Sequence, residues 1–336
     1  MPNLRSLTIQ GDFNRAGSID LFKQSFPALE YLSLAGDPLH QSQSGLTTLA
    51  GFSIQDRQSD LHLDTLLSFL EANPSLEIVD LKVEFGKPSL RRSKRRSPMR
   101  NQLQRLTIRY GTVMDIQALA SNIPLRTGAE LKIYLERRGP KLGEVLDIST
   151  SHLSNPPGPT LLEIRQSHSL EFTLRGSGGA LLVHKFFHRG ESFIDLSELP
   201  LLLLANIREF RLLRVDKTLL KTLVFHLSHF PLLETLAIAR RANLQRTLFA
   251  LLTNPSSSPF LKTLAFLNCD LSENFMKELT KFAFERRSAD ITAWLDRVLI
   301  FHRDGVFPSD ASISRLKSCV RIVNTRVASV FPENFT

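Results

Sequence analysis

One spacing constrains this chain more than any other. Leu4, Leu7 and Ile9 set out a pattern, Leu-x-x-Leu-x-Leu, that returns at Leu29, Leu32 and Leu34. It comes again at Leu76, Val79 and Leu81, at Leu103, Leu106 and Ile108, and at Ile207, Phe210 and Leu212. Two more copies follow, at Leu233, Leu236 and Ile238 and at Leu261, Leu264 and Phe266. Their first positions lie 25, 47, 27, 104, 26 and 28 residues apart. Four of those intervals equal one leucine-rich repeat, about 20–29 residues long. The 47 leaves room for a degenerate copy near Leu49. The 104 spans about four periods, with weak candidates at Leu131 to Ile133, Val145 to Ile148 and Leu170 to Leu174.

Such a unit cannot bury its apolar side alone, so neighbours must stack on it. The expected fold class is α/β. It is a leucine-rich-repeat solenoid, or horseshoe, with a parallel concave sheet and convex helices. Helical spacing of apolar residues occurs between the strands, in 64–72, 218–229, 243–253 and 273–287, the last with Ser272 as N-cap. Proline follows three helical stretches, in Phe26-Pro27, Asn73-Pro74 and Phe230-Pro231, where it stops the helix. The final copy is the fullest. Cys269 and Leu271 extend it, and a cysteine at that place bonds backbone in the turn after the strand. Asp37, before Leu39, stands there in the second copy. Three regions are expected: repeats over 1–124 with a basic loop at 87–101, irregular repeats or an insertion over 125–200 with a hairpin turn at Gly176-Ser177-Gly178-Gly179, and repeats with a cap over 201–336. In that cap 292–301 reads as a strand, 309–318 as a helix and 320–323 as a last strand, with Trp294 packed inside.

The C-terminal copies carry a closer likeness. Phe230-Pro231-Leu232-Leu233-Glu234-Thr235-Leu236-Ala237-Ile238 leads through Asn254-Pro255-Ser256-Ser257 to Leu261-Lys262-Thr263-Leu264-Ala265-Phe266. Asn268-Cys269-Asp270-Leu271-Ser272, Phe275-Met276-Lys277-Glu278-Leu279 and Phe307-Pro308-Ser309 to Ile313 follow. Over residues 190–336 this resembles the leucine-rich-repeat region of the fungal F-box-like family, notably that of mushroom-forming fungi. The resemblance implies a substrate receptor of a cullin-based ubiquitin ligase, in which an F-box docks the adaptor and the repeats hold the substrate. This chain opens on a repeat, and Ser197-Glu198-Leu199-Pro200 leads into a strand rather than an F-box. An adaptor contact therefore requires an F-box upstream, and the expected protein is the repeat half of a longer receptor.

Side chains between the motif leucines face the groove, because successive residues of a strand point to opposite sides. The candidate partner-binding residues are Tyr31, Asp80, Lys82, Arg105, Thr107, Arg109, Glu209 and Arg211, with Ser33, Thr235 and Thr263 on the same face. Arg105, Arg109 and Lys82 would give a positive groove for an acidic partner; a solvated polar face is the plainer alternative.

Net charge is +9, and a single run supplies most of it. Arg91, Arg92, Lys94, Arg95, Arg96 and Arg100 hold six positive charges within ten residues. Such a run suits nuclear import or nucleic acid, which gives the alternative function: a nuclear or nucleic-acid-associated repeat protein. No aromatic residue interleaves to stack on bases, which disfavours nucleic acid as the partner. Phosphorylation of Ser93 or Ser97 would offset the charge.

Enzyme chemistry finds little support. No nucleotide-binding loop, zincin motif or Ser/His/Asp constellation is recognisable. His184 and His188, and His226 and His229, lack a third ligand nearby, so no metal and no cofactor are expected. The two cysteines, Cys269 and Cys319, fit a reducing compartment, cytoplasmic or nuclear. No run of about 18 apolar residues suits a membrane span. The expected function is a non-catalytic scaffold holding a protein substrate in its groove.

Overall fold

A proline turn begins several of the repeats. Phe26-Pro27-Ala28-Leu29, Asn73-Pro74-Ser75-Leu76, Phe230-Pro231-Leu232-Leu233 and Ser258-Pro259-Phe260-Leu261 all close by a hydrogen bond. In each the leucine N–H donates to the carbonyl three residues back, at 3.2, 3.2, 3.1 and 3.2 Å. Proline at the second place fixes the φ this turn needs and ends the preceding helix. Ser258-Pro259 is a fourth such turn beside the three expected. The leucine that ends each turn is the first residue of the repeat motif and is buried: Leu29, Leu76, Leu233 and Leu261.

In a computed structural model, residues 4–10, 26–35, 48–55, 63–82, 103–123, 125–136, 144–145, 159–166, 169–186, 204–215, 219, 227–239, 249, 258–269, 271–289, 294–302 and 308–327 are described. The early strands are β1 (Ser6–Gln10), β2 (Tyr31–Ala35), β3 (Gly51–Gln55), β4 (Ile78–Lys82), β5 (Leu103–Arg109) and β6 (Leu125–Leu135). Then come β7 (Pro159–Gln166), β8 (Ser169–Gly176), β9 (Gly179–Phe186), β10 (Glu209–Leu213), β11 (Thr235–Ala239), β12 (Thr263–Leu267), β13 (Arg297–His302) and β14 (Ile322–Val327). Among the described residues the α-helices given a range are α1 (Leu63–Ala72), α2 (Val113–Asn122), α3 (Glu273–Ala289) and α4 (Asp310–Lys317).

Two compact units divide the chain: 1–155 with 177–186, and 156–176 with 187–336. In the first, the strand order is β1-β2-β3-β4-β5-β6-β9 and every pairing is parallel. In the second it is β8-β7-β10-β11-β12-β13-β14. There β8 runs antiparallel to β7, which corrects the expectation of a uniformly parallel sheet. The architecture is α/β, with mostly parallel strands advancing one repeat at a time.

The copy expected near Leu49 forms a strand. β3 lies in register between β2 and β4, and Leu49, Phe52 and Ile54 are buried in the motif positions. Two further copies close the second unit, at Leu295, Val298 and Ile300 and at Val320 and Val323, carried by β13 and β14. Leu131 and Ile133 sit in β6 as expected. Val145 does not form a strand; it is helical and buried.

Helices cover the motif side of the strands. Phe69 of α1 meets Phe52 of β3 with ring centroids 4.6 Å apart. In the second unit Phe266 of β12 packs edge-on against Phe275 of α3 at 5.1 Å, and Phe249 stacks on Phe282 at 5.4 Å. α2 is not evident from apolar spacing. Its start is a reciprocal cap: the Thr112 hydroxyl accepts from the Asp115 N–H, and the Asp115 carboxylate accepts from the Thr112 N–H at 2.9 Å. Ser272 caps α3 as expected, its hydroxyl accepting from the Phe275 N–H at 3.4 Å. Ser309 does the same for α4.

A left-handed residue turns the chain after three strands. Tyr110, Arg214 and Asn268 have φ of 65, 58 and 50° and occupy the same repeat position. Their N–H groups donate to the next strand's carbonyls at Tyr134, Ala239 and Phe301. Next to Asn268, the Cys269 thiol is buried with its sulfur 3.5 Å from the Ile238 carbonyl oxygen, the backbone-bonding role expected of it. The expected glycine turn falls at Ser177-Gly178, between β8 and β9.

Candidate functional site

Strand alternation splits the first unit's sheet into two chemistries. The motif positions point one way: Leu32, Leu34, Val79, Leu81, Leu106, Ile108, Leu131 and Ile133 are all buried. The intervening side chains point the other way and form rows across the strands, because the pairings are in register. One row runs Ser33, Ser53, Asp80, Thr107, Lys132. The next holds Gln55 and Lys82, then Arg109, Tyr134 and His184.

These side chains hold one another. Arg109 makes a two-pronged contact with Asp80, Nε to Oδ1 and Nη2 to Oδ2, both 2.9 Å. That hydrogen bonding raises the Arg109 pKa further above its already high value, so the guanidinium is a permanent cation. The guanidinium also lies over the Tyr134 ring, 4.6 Å from the centroid. Tyr134 in turn stacks on His184 at 4.5 Å and 8°. The three form a continuous row across β5, β6 and β9. Lys82 sits 5.8 Å from the Tyr110 ring, and Arg105 donates to Glu130 at 2.8 Å. Lys132 reaches the same Glu130 carboxylate at 3.1 Å.

Five of the candidate groove residues thus gather on this face: Tyr31, Asp80, Lys82, Arg105 and Arg109. Tyr31 is 49% exposed, and its ring lies against Gly51, where an added Cβ would stand 2.4 Å from it. Two amendments follow. Thr107 is buried between the rows at 4% exposure, so it supports the face rather than offering a contact. The groove is also not simply positive, because Asp80 and Glu130 answer Arg109, Arg105 and Lys132. With Lys82, these residues bring together more cations than carboxylates.

The second unit departs from expectation. Arg211 is buried and pairs with Glu209 at 2.5 Å; their side chains are only 10% and 14% exposed. Thr235 and Thr263 are buried too. The rows beside them are apolar: Ala237, Ala265 and Leu299, then Ala239, Leu267 and Phe301, all buried in one cluster. A polar residue at an alternating position fixes the face it shares, not whether that face is open. Glu209 and Arg211 are therefore an enclosed pair. Trp294 is likewise not packed inside; it is 37% exposed, with the Arg287 guanidinium 4.4 Å over its ring.

No family model, curated protein or solved structure matches this chain.

Sequence reasoning missed Glu130, Tyr134 and the part played by His184. The signal was present: shifting Arg105, Thr107 and Arg109 one repeat forward, in register with Leu131, lands on Glu130, Lys132 and Tyr134. The basic run Arg91, Arg92, Lys94, Arg95, Arg96 and Arg100 lies outside the described residues, as do Asp37, His188, His226 and residues 197–201. Among the described residues no group of three His, Cys, Asp or Glu could hold a metal, and no helix is long and apolar enough to cross a membrane.

Proposed function

We propose that this chain is a non-catalytic protein-interaction scaffold of the leucine-rich-repeat solenoid type. Its binding surface is the polar face of the first unit's sheet, and its ligand is a protein partner. One observation carries this reading: Arg109, Tyr134 and His184 form a stacked row on a regular sheet, braced by Asp80. Arginine and tyrosine are the side chains that most often dominate binding energy at protein interfaces. Holding them in place before contact spares the entropy of ordering them during association. The surplus of cations favours a partner that is acidic where it meets this face.

The likeness of the C-terminal repeats to fungal F-box-like receptors supports a narrower version. In it the partner is a substrate delivered to a cullin-based ubiquitin ligase, with adaptor docking supplied by an F-box outside this sequence.

The test is affinity capture with wild-type protein and with the Arg109→Ala/Tyr134→Ala double variant. Neither side chain is fully buried, and an ion pair in that setting contributes only about 0–1 kcal/mol, so the variant folds. A partner recovered by wild type is expected to fall at least about tenfold with the variant, the effect of losing two interface anchors. Equal recovery of every captured protein by both forms would remove this face from the account.

A further inference from the structure

A second site lies on the helical side of the second unit. α3 and α4 leave a groove of about 330 Å³ between them. That is within the range of small-ligand sites, about 300–1,000 Å³. Met276, buried at 1% exposure, and Phe284, 59% exposed, both line it. Lys277, Lys281 and Arg315 line it as well, so their aliphatic stems extend the apolar wall while their charges stay at the rim. Cys319 completes the wall as a free thiol.

The described lining of this groove carries three cations, Lys277, Lys281 and Arg315. Among the described residues no carboxylate lines it. Glu273, at the start of α3, is occupied: its Oε1 accepts from the hydroxyls of Ser309 at 2.7 Å and Ser312 at 3.0 Å. Those two bonds, with a smaller contribution from the charges of Lys277 and Arg315, hold its carboxyl below the usual carboxylate range, and they tie the starts of α3 and α4 together. Glu285 approaches Lys281 at 3.7 Å, an exposed pair that gives way readily to a better ligand.

We infer that the groove between α3 and α4 binds an anionic amphiphile, an aliphatic chain ending in a carboxylate. The chain lies over Met276 and against Phe284, and the carboxylate meets Lys277 and Arg315. This site is separate from the polar sheet face and does not depend on the protein-binding role.

Cys319 reports occupancy directly. The probe is dodecanoate below its micellar concentration, and the readout is the rate of Cys319 alkylation by iodoacetamide, resolved from Cys269 by peptide mass. Bound dodecanoate is expected to slow Cys319 alkylation about tenfold at saturation. Dodecyl maltoside, with the same tail and an uncharged head, is expected to leave the rate unchanged. The Lys277→Gln/Arg315→Gln variant should need about tenfold more dodecanoate for the same protection, with an unchanged melting temperature. An alkylation rate indifferent to dodecanoate would overturn the site. Equal protection by dodecyl maltoside, or undiminished protection in the variant, would overturn its anionic specificity.

Discussion

Replacing Gly179 with alanine is expected to destabilise the first unit by about 2–4 kcal/mol. Two costs combine. Gly179 opens β9 with φ +140°, a backbone region that L side chains rarely enter. Holding a non-glycine residue in such a conformation costs about 1–3 kcal/mol. In addition, its new Cβ would stand 2.4 Å from the Ala129 carbonyl oxygen of β6, and backbone on both sides leaves nothing flexible to yield. Relief requires moving the β6–β9 pairing, which carries Tyr134 against His184. The variant should therefore lose stability and the stacked row together. Urea unfolding followed by far-UV dichroism measures the first. An unchanged midpoint would show that the β9 entry relaxes freely. Gly128, with φ +82° and open space around its Cβ position, provides the contrast: substitution there meets strain but no clash.

Arg286→Ala is expected to cost the second unit about 3–5 kcal/mol, by combining a large cavity with the loss of a buried hydrogen bond from a charged donor. Arg286 is fully buried, near the C-terminal end of α3. Its Nη2 donates to the Ser258 carbonyl at 2.5 Å and lies 3.5 Å from that of Leu261. Ser258 and Leu261 bound the proline turn that begins the β12 repeat, so the guanidinium clamps helix to turn. Removal takes a charged donor from these carbonyls and leaves the Ser258 oxygen only the Leu261 N–H of its own turn, a loss of about 1.5–3 kcal/mol for a hydrogen bond to a charged group. Arg286→Lys should recover part of the loss, since an ammonium can still donate to a carbonyl but does not fill the space of the guanidinium. Chemical denaturation of the three forms decides this. Equal stability of wild type and alanine variant would show the clamp to be dispensable.

Much of the fold was legible because repeats advertise themselves twice, by spacing and by punctuation. Leu76, Leu103, Leu233 and Leu261 each precede or open a strand in the expected register. The copy at Leu49 was expected from the interval of 47 residues, and Phe52 stands in it where Phe210 stands in another, because a pleated, half-buried position accepts any large apolar side chain. The strands of the copies at Leu295 and Val320 were expected, over 292–301 and 320–323, but not as members of the repeat. Residues 125–200 lost their period for a different cause. β6 has 11 residues and β7, β8 and β9 have 8 each, where the other repeats hold shorter strands, and β8 reverses direction. No spacing rule survives such a change.

The candidate site was legible by face but not by partner. Alternation placed Arg105 and Arg109 correctly on one face. It gave no account of Asp80 and Glu130 as their counter-charges, since those contacts cross strands 25–29 residues apart in sequence. Nor did it distinguish the open face carrying Lys82 from the enclosed one carrying Arg211. That difference is set by the neighbouring rows: serine, aspartate and lysine in one unit, alanine, leucine and phenylalanine in the other.

A partner seated on the polar sheet face of the first unit can be caught there covalently. Site-specific photo-crosslinking tests it most directly, with benzoylphenylalanine introduced singly at Ser33, at Lys82 and, on the exposed side of α1, at Glu71. Partner adducts are expected from Ser33 and Lys82 and none from Glu71. Adducts from Glu71 with none from Ser33 or Lys82 would contradict that placement.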